Sequence, residues 1–365
     1  MKHDPLKITE KLISLKSYDG ADEPFYYLKE ILDSVGAKVE VIEHEGVKNI
    51  HAEYGKGTAV FGFNGHYDTV PPEGDWERNP LQPTIKDGKL YGLGSTDMKG
   101  GLAGMLCAFI EIGKLDLKKK IIFQAVGDEE IHGTNGTKVL VEKKKFAKRM
   151  FIGEPSGMSI SNEHKSLMRV DAMMYGKSAH GSRVYTGSNA IMKMTRALQR
   201  LAVEGYLRFT CKKEEINSVT SCNVGVISGG KAPNIIPAEC SAKLDIRMPR
   251  DRDPQEVIEY LKKHFDEIHI LHRSNGMYTA PNHELVQTSL KVAEKVYGKK
   301  LDIRYSLGAC DGRYFTKLDI PTVKGGPCGI DENGERTLHR KDEFVPVDEI
   351  YIWKDIYQEI AMKYL

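Results

Sequence analysis

Phe61-Gly62-Phe63-Asn64-Gly65-His66-Tyr67-Asp68 opens the stretch on which the fold turns, and that stretch runs on to Glu154. Thr58 to Phe63 is a β-prone run that stops at Asn64-Gly65, with a histidine and a carboxylate directly after it. The same ending recurs twice. Lys120 to Val126 reads as a buried strand stopping at Gly127-Asp128-Glu129-Glu130, and Arg149 to Ile152 as one stopping at Gly153-Glu154-Pro155. A fourth cluster, Ser95-Thr96-Asp97, is placed at a strand end as well. Helical spacing fills the gaps, over Leu102 to Ile112 after Gly100-Gly101 and over about Asn135 to Lys144. This alternation predicts an α/β sheet with parallel members. Ligands of such sheets gather at the carboxyl ends of the strands, where these clusters fall.

Working outward, Asp4 to Leu15 and Glu23 to Val35 have helical spacing, and Gly36 closes the second. Lys38 to Ile42 and Asn49 to Tyr54 read as paired strands, and Thr84 to Tyr91 as a hairpin around Asp87-Gly88. The pattern changes near residue 164. His164 to Tyr175, Ser218 to Ile227, Ala238 to Met248 and Ile268 to Leu271 read as strands, and Asn189 to Ala202 and Pro254 to His264 as helices. The order β-α-β-β-α-β is that of a ferredoxin-like α+β unit. We therefore expect an inserted domain over residues 164–275, interrupting a first domain made of residues 1–163 and 276–365. The returning segment carries a helix over His283 to Val296, a strand over Leu301 to Tyr305, a short helix over Asp311 to Lys317, a strand over Thr322 to Lys324 and a closing helix over Pro346 to Tyr364.

Composition narrows the function classes. The 53 basic and 51 acidic residues nearly balance, which leaves no electrostatic footprint for nucleic acid or an anionic membrane. The runs Lys118-Lys119-Lys120 and Lys143-Lys144-Lys145 read as solvated faces. No apolar run approaches the roughly 20 residues of a membrane span. Residues 1–20 lack a signal-peptide core, so a cytoplasmic protein is expected. The six cysteines form no C-x-x-C pair and read as reduced or buried thiols. Cys310 and Cys328 fall near candidate site residues, with nothing that makes either a nucleophile.

Taken singly, each cluster has a plain structural account. His66 is a satisfied histidine at a strand end, and Glu129-Glu130 an exposed acidic loop. Asp97 is a helix cap, Glu154 a loop residue, and His339 a solvated histidine in a charged loop. Taken together they make a common site. Two histidines and three carboxylates with no thiolate suit Zn, Mn or Co. A carboxylate shared by two such ions would hold them about 3.5–4 Å apart. Adjacent side chains at Glu129-Glu130 point in different directions, so one can ligate while the other moves a proton. Asp68 lies close enough to orient His66.

The segments Gly65-His66-Tyr67-Asp68-Thr69-Val70-Pro71, Tyr91-Gly92-Leu93-Gly94-Ser95-Thr96-Asp97-Met98-Lys99-Gly100-Gly101, Asp128-Glu129-Glu130, Gly153-Glu154-Pro155-Ser156, Gly176-Lys177-Ser178-Ala179-His180-Gly181-Ser182, Asn234-Ile235-Ile236-Pro237, Asp245-Ile246-Arg247 and His339 occur in one order along the chain. In that order they resemble the M20 metallopeptidase and aminoacylase family. The resemblance implies a zinc-peptidase-like catalytic domain with an inserted dimerisation (lid) domain, working as a homodimer. It implies two divalent metals per chain, zinc first, with cobalt or manganese as alternatives. His66 and Glu154 would complete one metal, Glu130 and His339 the other, and Asp97 would bridge them. Asp68 would orient His66, and Glu129 would be the general acid/base. His180 would act on the partner chain's site as an oxyanion stabiliser, and Asn234 and Arg247 would bind the substrate carboxylate. A cis peptide is implied at Asp97–Met98. Leu93 stands where many members have Arg. Cys310-Asp311-Gly312-Arg313 resembles the Ser-Asp-Gly-Arg segment of desuccinylases with Cys310 in place of Ser, which implies that Arg313 reads a second carboxylate.

The activity so implied is removal of an acyl group from an N-acyl (di)amino acid, as in succinyl-diaminopimelate desuccinylase or acetylornithine deacetylase. The alternatives are a dipeptidase or carboxypeptidase of the same fold, and a non-catalytic binding protein on the same scaffold.

Overall fold

The computed structural model describes residues 3–365. The chain divides into two compact units, one of Met1–Glu163, Met277–Ser306 and Cys310–Leu365, the other of His164–Gly276 and Leu307–Ala309.

A mixed nine-stranded sheet forms the frame of the first unit. Ala59–His66 lies inside it, paired parallel with Lys120–Val126 on one side and Met150–Ile152 on the other. Thr322–Lys324 continues the parallel set beyond Met150–Ile152. Lys38–His44 and Val47–Tyr54 add an antiparallel edge next to Lys120–Val126. The strand register aligns the carboxyl ends. His66 is level with Val126, and Asn64 with Ile152, so the segments leaving those strands start at one height.

The central strand is buried on both faces. Phe61 and Phe63 sit in the main core with Phe123 and Phe151. Gly100–Gly113, almost wholly buried, packs between this sheet and the closing helix Val347–Met362, which adds Trp353 and Tyr357. A fully buried side chain of this size contributes about 1.5–3 kcal/mol. The helix enters this close because residue 101 is glycine: a Cβ there would stand 2.0 Å from the Gly153 carbonyl oxygen.

Three expectations need correction. The central strand does not stop before Asn64 but continues through His66, because both neighbours keep its backbone groups paired. The Ser95-Thr96-Asp97 cluster is not at a strand end. It lies in an irregular helical turn, Ser95–Lys99, whose Asp97–Met98 peptide is cis, as the family resemblance implied. Asp97 caps no helix either: the next one begins at Gly100 with Lys99 at its N-cap and no side-chain cap. Five short strands were not anticipated: Ser159–His164, Ala179–His180, Ile235–Ile236, Met277–Tyr278 and Phe344–Pro346. Ser159–His164 is polar in sequence yet buried, and Phe344–Pro346 pairs with the Lys89–Tyr91 arm of the hairpin.

The main sheet of the second unit has four antiparallel strands. Ser221–Gly229, Glu239–Met248, Ser166–Tyr175 and Glu267–Ser274 lie side by side in that order, which is the ferredoxin-like arrangement. Its helices, Ala190–Glu204 and Pro254–Lys262, start at Asn189 and Asp253, whose side chains accept backbone N–H groups. The core holds Met168, Val170, Met194, Leu201, Leu244 and Leu261. Among the described residues, no helix of either unit is long and apolar enough to cross a membrane.

Candidate metal centre

The aligned strand ends bring His66, Glu129, Glu130 and Glu154 together, and the irregular turn adds Asp97. A C-terminal strap supplies His339, whose backbone is held at φ +56°. The two histidines address opposite oxygens of one carboxylate. His66 Nε2 lies 3.2 Å from Asp97 Oδ1, and His339 Nε2 lies 3.5 Å from Asp97 Oδ2. Glu154 Oε1 is 3.6 Å from His66 Nε2, and Glu130 Oε1 is 3.1 Å from His339 Nε2. The result is two half-sites that share Asp97.

The donor geometry tests whether metals fit. His66 Nδ1 is 2.9 Å from the Asp68 main-chain oxygen, which can only accept, so Nδ1 carries a proton. In the neutral ring Nε2 is then a lone pair aimed at two carboxylate oxygens, an arrangement that calls for a cation between them. The spacing agrees. In a tetrahedral shell with bonds of about 2.0–2.1 Å, neighbouring ligand atoms lie roughly 3.3 Å apart, close to the separations of each half-site.

Charge points the same way. Asp68, Asp97, Glu129, Glu130 and Glu154 crowd around His66, His339 and Lys324, whose Nζ is 3.7 Å from Glu154. Burial, then Asp97, pushes Glu154 up to about 7. Burial also raises Glu130. Burial and the neighbouring Glu154 hold Glu129 well above the carboxylate range. Burial would likewise raise Asp97, but its hydrogen bond to His66 outweighs this and holds it low. Burial opposes the charge on His66, yet Asp68 and Asp97 keep it well above the ordinary histidine value. The Glu130 hydrogen bond brings His339 up to about 9. The site favours positive charge at both Nε2 positions, as a proton or as a cation.

A model of peptidase family M20/M25/M40 matches residues 62–363 of this chain. The chain belongs to peptidase family M20/M25/M40. Over 99% of its length this M20 chain is 28% identical to a succinyl-diaminopimelate desuccinylase of Roseobacter denitrificans, covering 98% of that protein. A desuccinylase of the same name from Hahella chejuensis is 29% identical, over 93% of this chain and 91% of that one. Its fold is shared with the M20 family metallo-carboxypeptidase Sso-CP2 of Sulfolobus solfataricus, at TM-score 0.83 and 23% identity over 99% of both chains. The YXEP protein of Bacillus subtilis, a dinuclear metal binding peptidase from the M20 family, has the same fold at TM-score 0.73 and 12% identity, over 98% and 96%. As a member of this family the chain is a metal-dependent hydrolase of amide bonds.

In this M20 enzyme the turn that bears Glu129 is gripped from two sides. The Asp68 carboxylate accepts the backbone N–H of Glu129 at 3.3 Å and of Glu130 at 3.1 Å. The orienting contact to His66 comes mainly from the Asp68 carbonyl, since its carboxylate stands 3.5 Å from Nδ1. At the other end of the turn, the His132 carbonyl accepts from Arg313 Nη2 at 2.8 Å and from the Tyr314 hydroxyl at 2.6 Å. Next comes Gly133 at φ +61°, where a Cβ would stand 2.2 Å from Asp311 Oδ1. Arg313 is 5% exposed and also lies 3.4 Å from Asp311, against the back of the turn.

The remaining M20 motif residues lie in the second unit. His180 and Asn234 are neighbours there: the Gly181 N–H donates to the Asn234 carbonyl at 2.7 Å. The Ser182 N–H donates to His180 Nδ1 at 3.2 Å, which makes Nδ1 the acceptor and leaves a neutral ring's proton on Nε2. Arg247 forms a fork on Asp245, at 2.6 and 3.2 Å. Cys310 and Cys328 are buried thiols, each pushed up to about 12 by burial.

Sequence reasoning missed Lys324 and Glu343. A lysine closing the apolar run Pro321-Thr322-Val323, at a strand end like the other site residues, was a usable signal for the first. Glu343 carries no such signal, because its partners lie about 250 residues away.

Proposed function

We propose that this chain is a di-zinc amidohydrolase that removes the acyl group from an N-acyl diamino acid, N-succinyl-diaminopimelate first and N-acetylornithine second. The observation that carries the chemistry is the sharing of Asp97 by two histidine–carboxylate half-sites, with Glu129 beside them. His66, Glu154 and Asp97 would hold one zinc, and His339, Glu130 and Asp97 the other. When bound, the ions would polarise the amide carbonyl and acidify a water.

The chain's own residues do the rest. Glu129 stands within the His66–Glu154 cluster, its carboxyl raised by burial and by Glu154. A group so tuned takes the proton from the attacking water and passes it to the leaving nitrogen. Asp68 holds the His66 ring and the Glu129 backbone in one geometry. In the homodimer, the partner subunit's His180 would donate from Nε2 to the developing oxyanion. Asn234 and Arg247 would bind the substrate carboxylate, with Arg247 released from Asp245 to do so. The substrate choice is supported by the names of the relatives that match over nearly the full length.

The test is hydrolysis of N-succinyl-diaminopimelate beside N-acetylornithine, with added zinc or cobalt and an EDTA-treated control. Metal-dependent cleavage of the succinyl substrate is expected. Cleavage of dipeptides alone would overturn the substrate assignment.

A further inference from the structure

Glu343 is 2% exposed, and its carboxylate accepts three main-chain N–H groups from the turn that carries Asp97. Oε2 accepts from Gly94 at 2.9 Å, and Oε1 accepts from Thr96 at 2.8 Å and from Asp97 at 2.9 Å. The attachment is repeated next to it. The Thr96 hydroxyl donates to the Phe344 carbonyl at 2.6 Å, and the Gly92 N–H donates to the Glu343 carbonyl at 3.0 Å. Glu343 also belongs to the strap that delivers His339, four residues earlier. Its carboxylate thus joins the segment of the shared ligand to the segment of the second histidine.

The two half-sites depend on this joint unequally. His66 and Glu154 leave adjacent strands of one sheet, and the backbone ladder sets their spacing. His339 comes from a loop with no ladder to Glu130. We propose that Glu343 is a positioning residue for the second half-site, setting the distance between Asp97 and His339 so that the Glu130–His339 pair can hold its metal. This rests on the reading of these residues as a two-metal centre.

Zinc binding by Glu343→Gln tests it. Glutamine keeps the shape and one acceptor, but its amide group would confront the Gly94 N–H with a second donor. Wild-type protein, stripped and titrated calorimetrically, should take two zinc ions per chain. The variant should take the second about 10–100-fold more weakly, the usual effect of losing a partner behind a ligand, and lose less at the first, which shares Asp97 but keeps the sheet-set His66–Glu154 pair. General destabilisation would weaken both sites, and a split between them would not arise from it. Two sites of wild-type affinity in the variant would overturn the proposal. No zinc uptake by the wild type would instead overturn the metal-centre reading itself. Hydrogen exchange on zinc-free wild-type protein gives a second test that needs no variant. The Gly94, Thr96 and Asp97 amides should be protected before metal arrives, and rapid exchange there would also sink the idea.

Discussion

The Arg313 guanidinium donates to the His132 carbonyl oxygen at 2.8 Å, three residues beyond Glu129. The Tyr314 hydroxyl reaches the same oxygen at 2.6 Å. This pair gives Arg313 a use quite different from reading a substrate carboxylate, and kinetics separates the two. If the pair fixes the turn, Tyr314→Phe removes one hydrogen bond of about 1 kcal/mol and lowers kcat by about fivefold with KM nearly unchanged. Arg313→Lys should act in the same direction on succinyl and acetyl substrates alike. A KM rise confined to the succinyl substrate would favour the carboxylate-reading role instead.

Glu129→Gln keeps the shape of the side chain and removes the proton acceptor. The expected result is a fall in kcat of about 10²–10⁴-fold with zinc content unchanged. Elemental analysis of the variant, run beside the rate assay, checks both halves. Normal turnover with full zinc would move the base to another group.

Removing metal should cost stability as well as activity, because the ions bind the folded site and not the unfolded chain. At free zinc about 100-fold above the dissociation constant, one site contributes about 2.7 kcal/mol. For a chain of this size that is roughly 3–4 °C in melting temperature. Thermal melts with and without a chelator should show the drop, with full recovery when zinc is restored. Identical melts would argue against a preformed centre.

Glu349 offers a pH test away from the metals. Its carboxylate accepts the Cys328 N–H at 3.0 Å, and burial pushes it up to about 7 from an ordinary 4.5. A raised folded value means that the bound proton stabilises the fold fully below pH 4.5, and that this contribution is lost as pH rises through 7. Glu349→Gln does not titrate. Urea melts in EDTA should therefore show the variant gaining on wild type by roughly 1–3 kcal/mol between pH 5 and 8. A gap that stays constant over that range would mean that Glu349 keeps an ordinary acidity.

Much of this molecule is legible from local pattern. The parallel strands are legible because each is a short apolar run with a turn signal behind it. The proposed ligand His66 closes the first, three residues beyond the predicted end at Phe63, and the proposed ligands Glu130 and Glu154 follow the next two within four residues. The helices read correctly for the same reason, to within one or two residues at most ends. What escaped reading depends on distant partners. Asp97 was placed at a strand end because its irregular turn is held in shape by Glu343, almost 250 residues on. Ser159–His164 is polar by composition and becomes a strand only through its neighbours in the sheet. The Asp68 carboxylate, read as a partner for one histidine, also holds the backbone of the next acidic turn, which spacing along the chain cannot reveal.

The spread of the proposed ligands from residue 66 to residue 339 has a consequence for how the centre would be made. Synthesis delivers His66, Asp97, Glu130 and Glu154 before the ferredoxin-like insert exists, and delivers His339 only after it is complete. A nascent chain halted after residue 163 holds every proposed ligand of the first half-site and only part of the second. On the two-metal reading proposed above, uptake of a second ion would therefore report when the strap that carries His339 has docked.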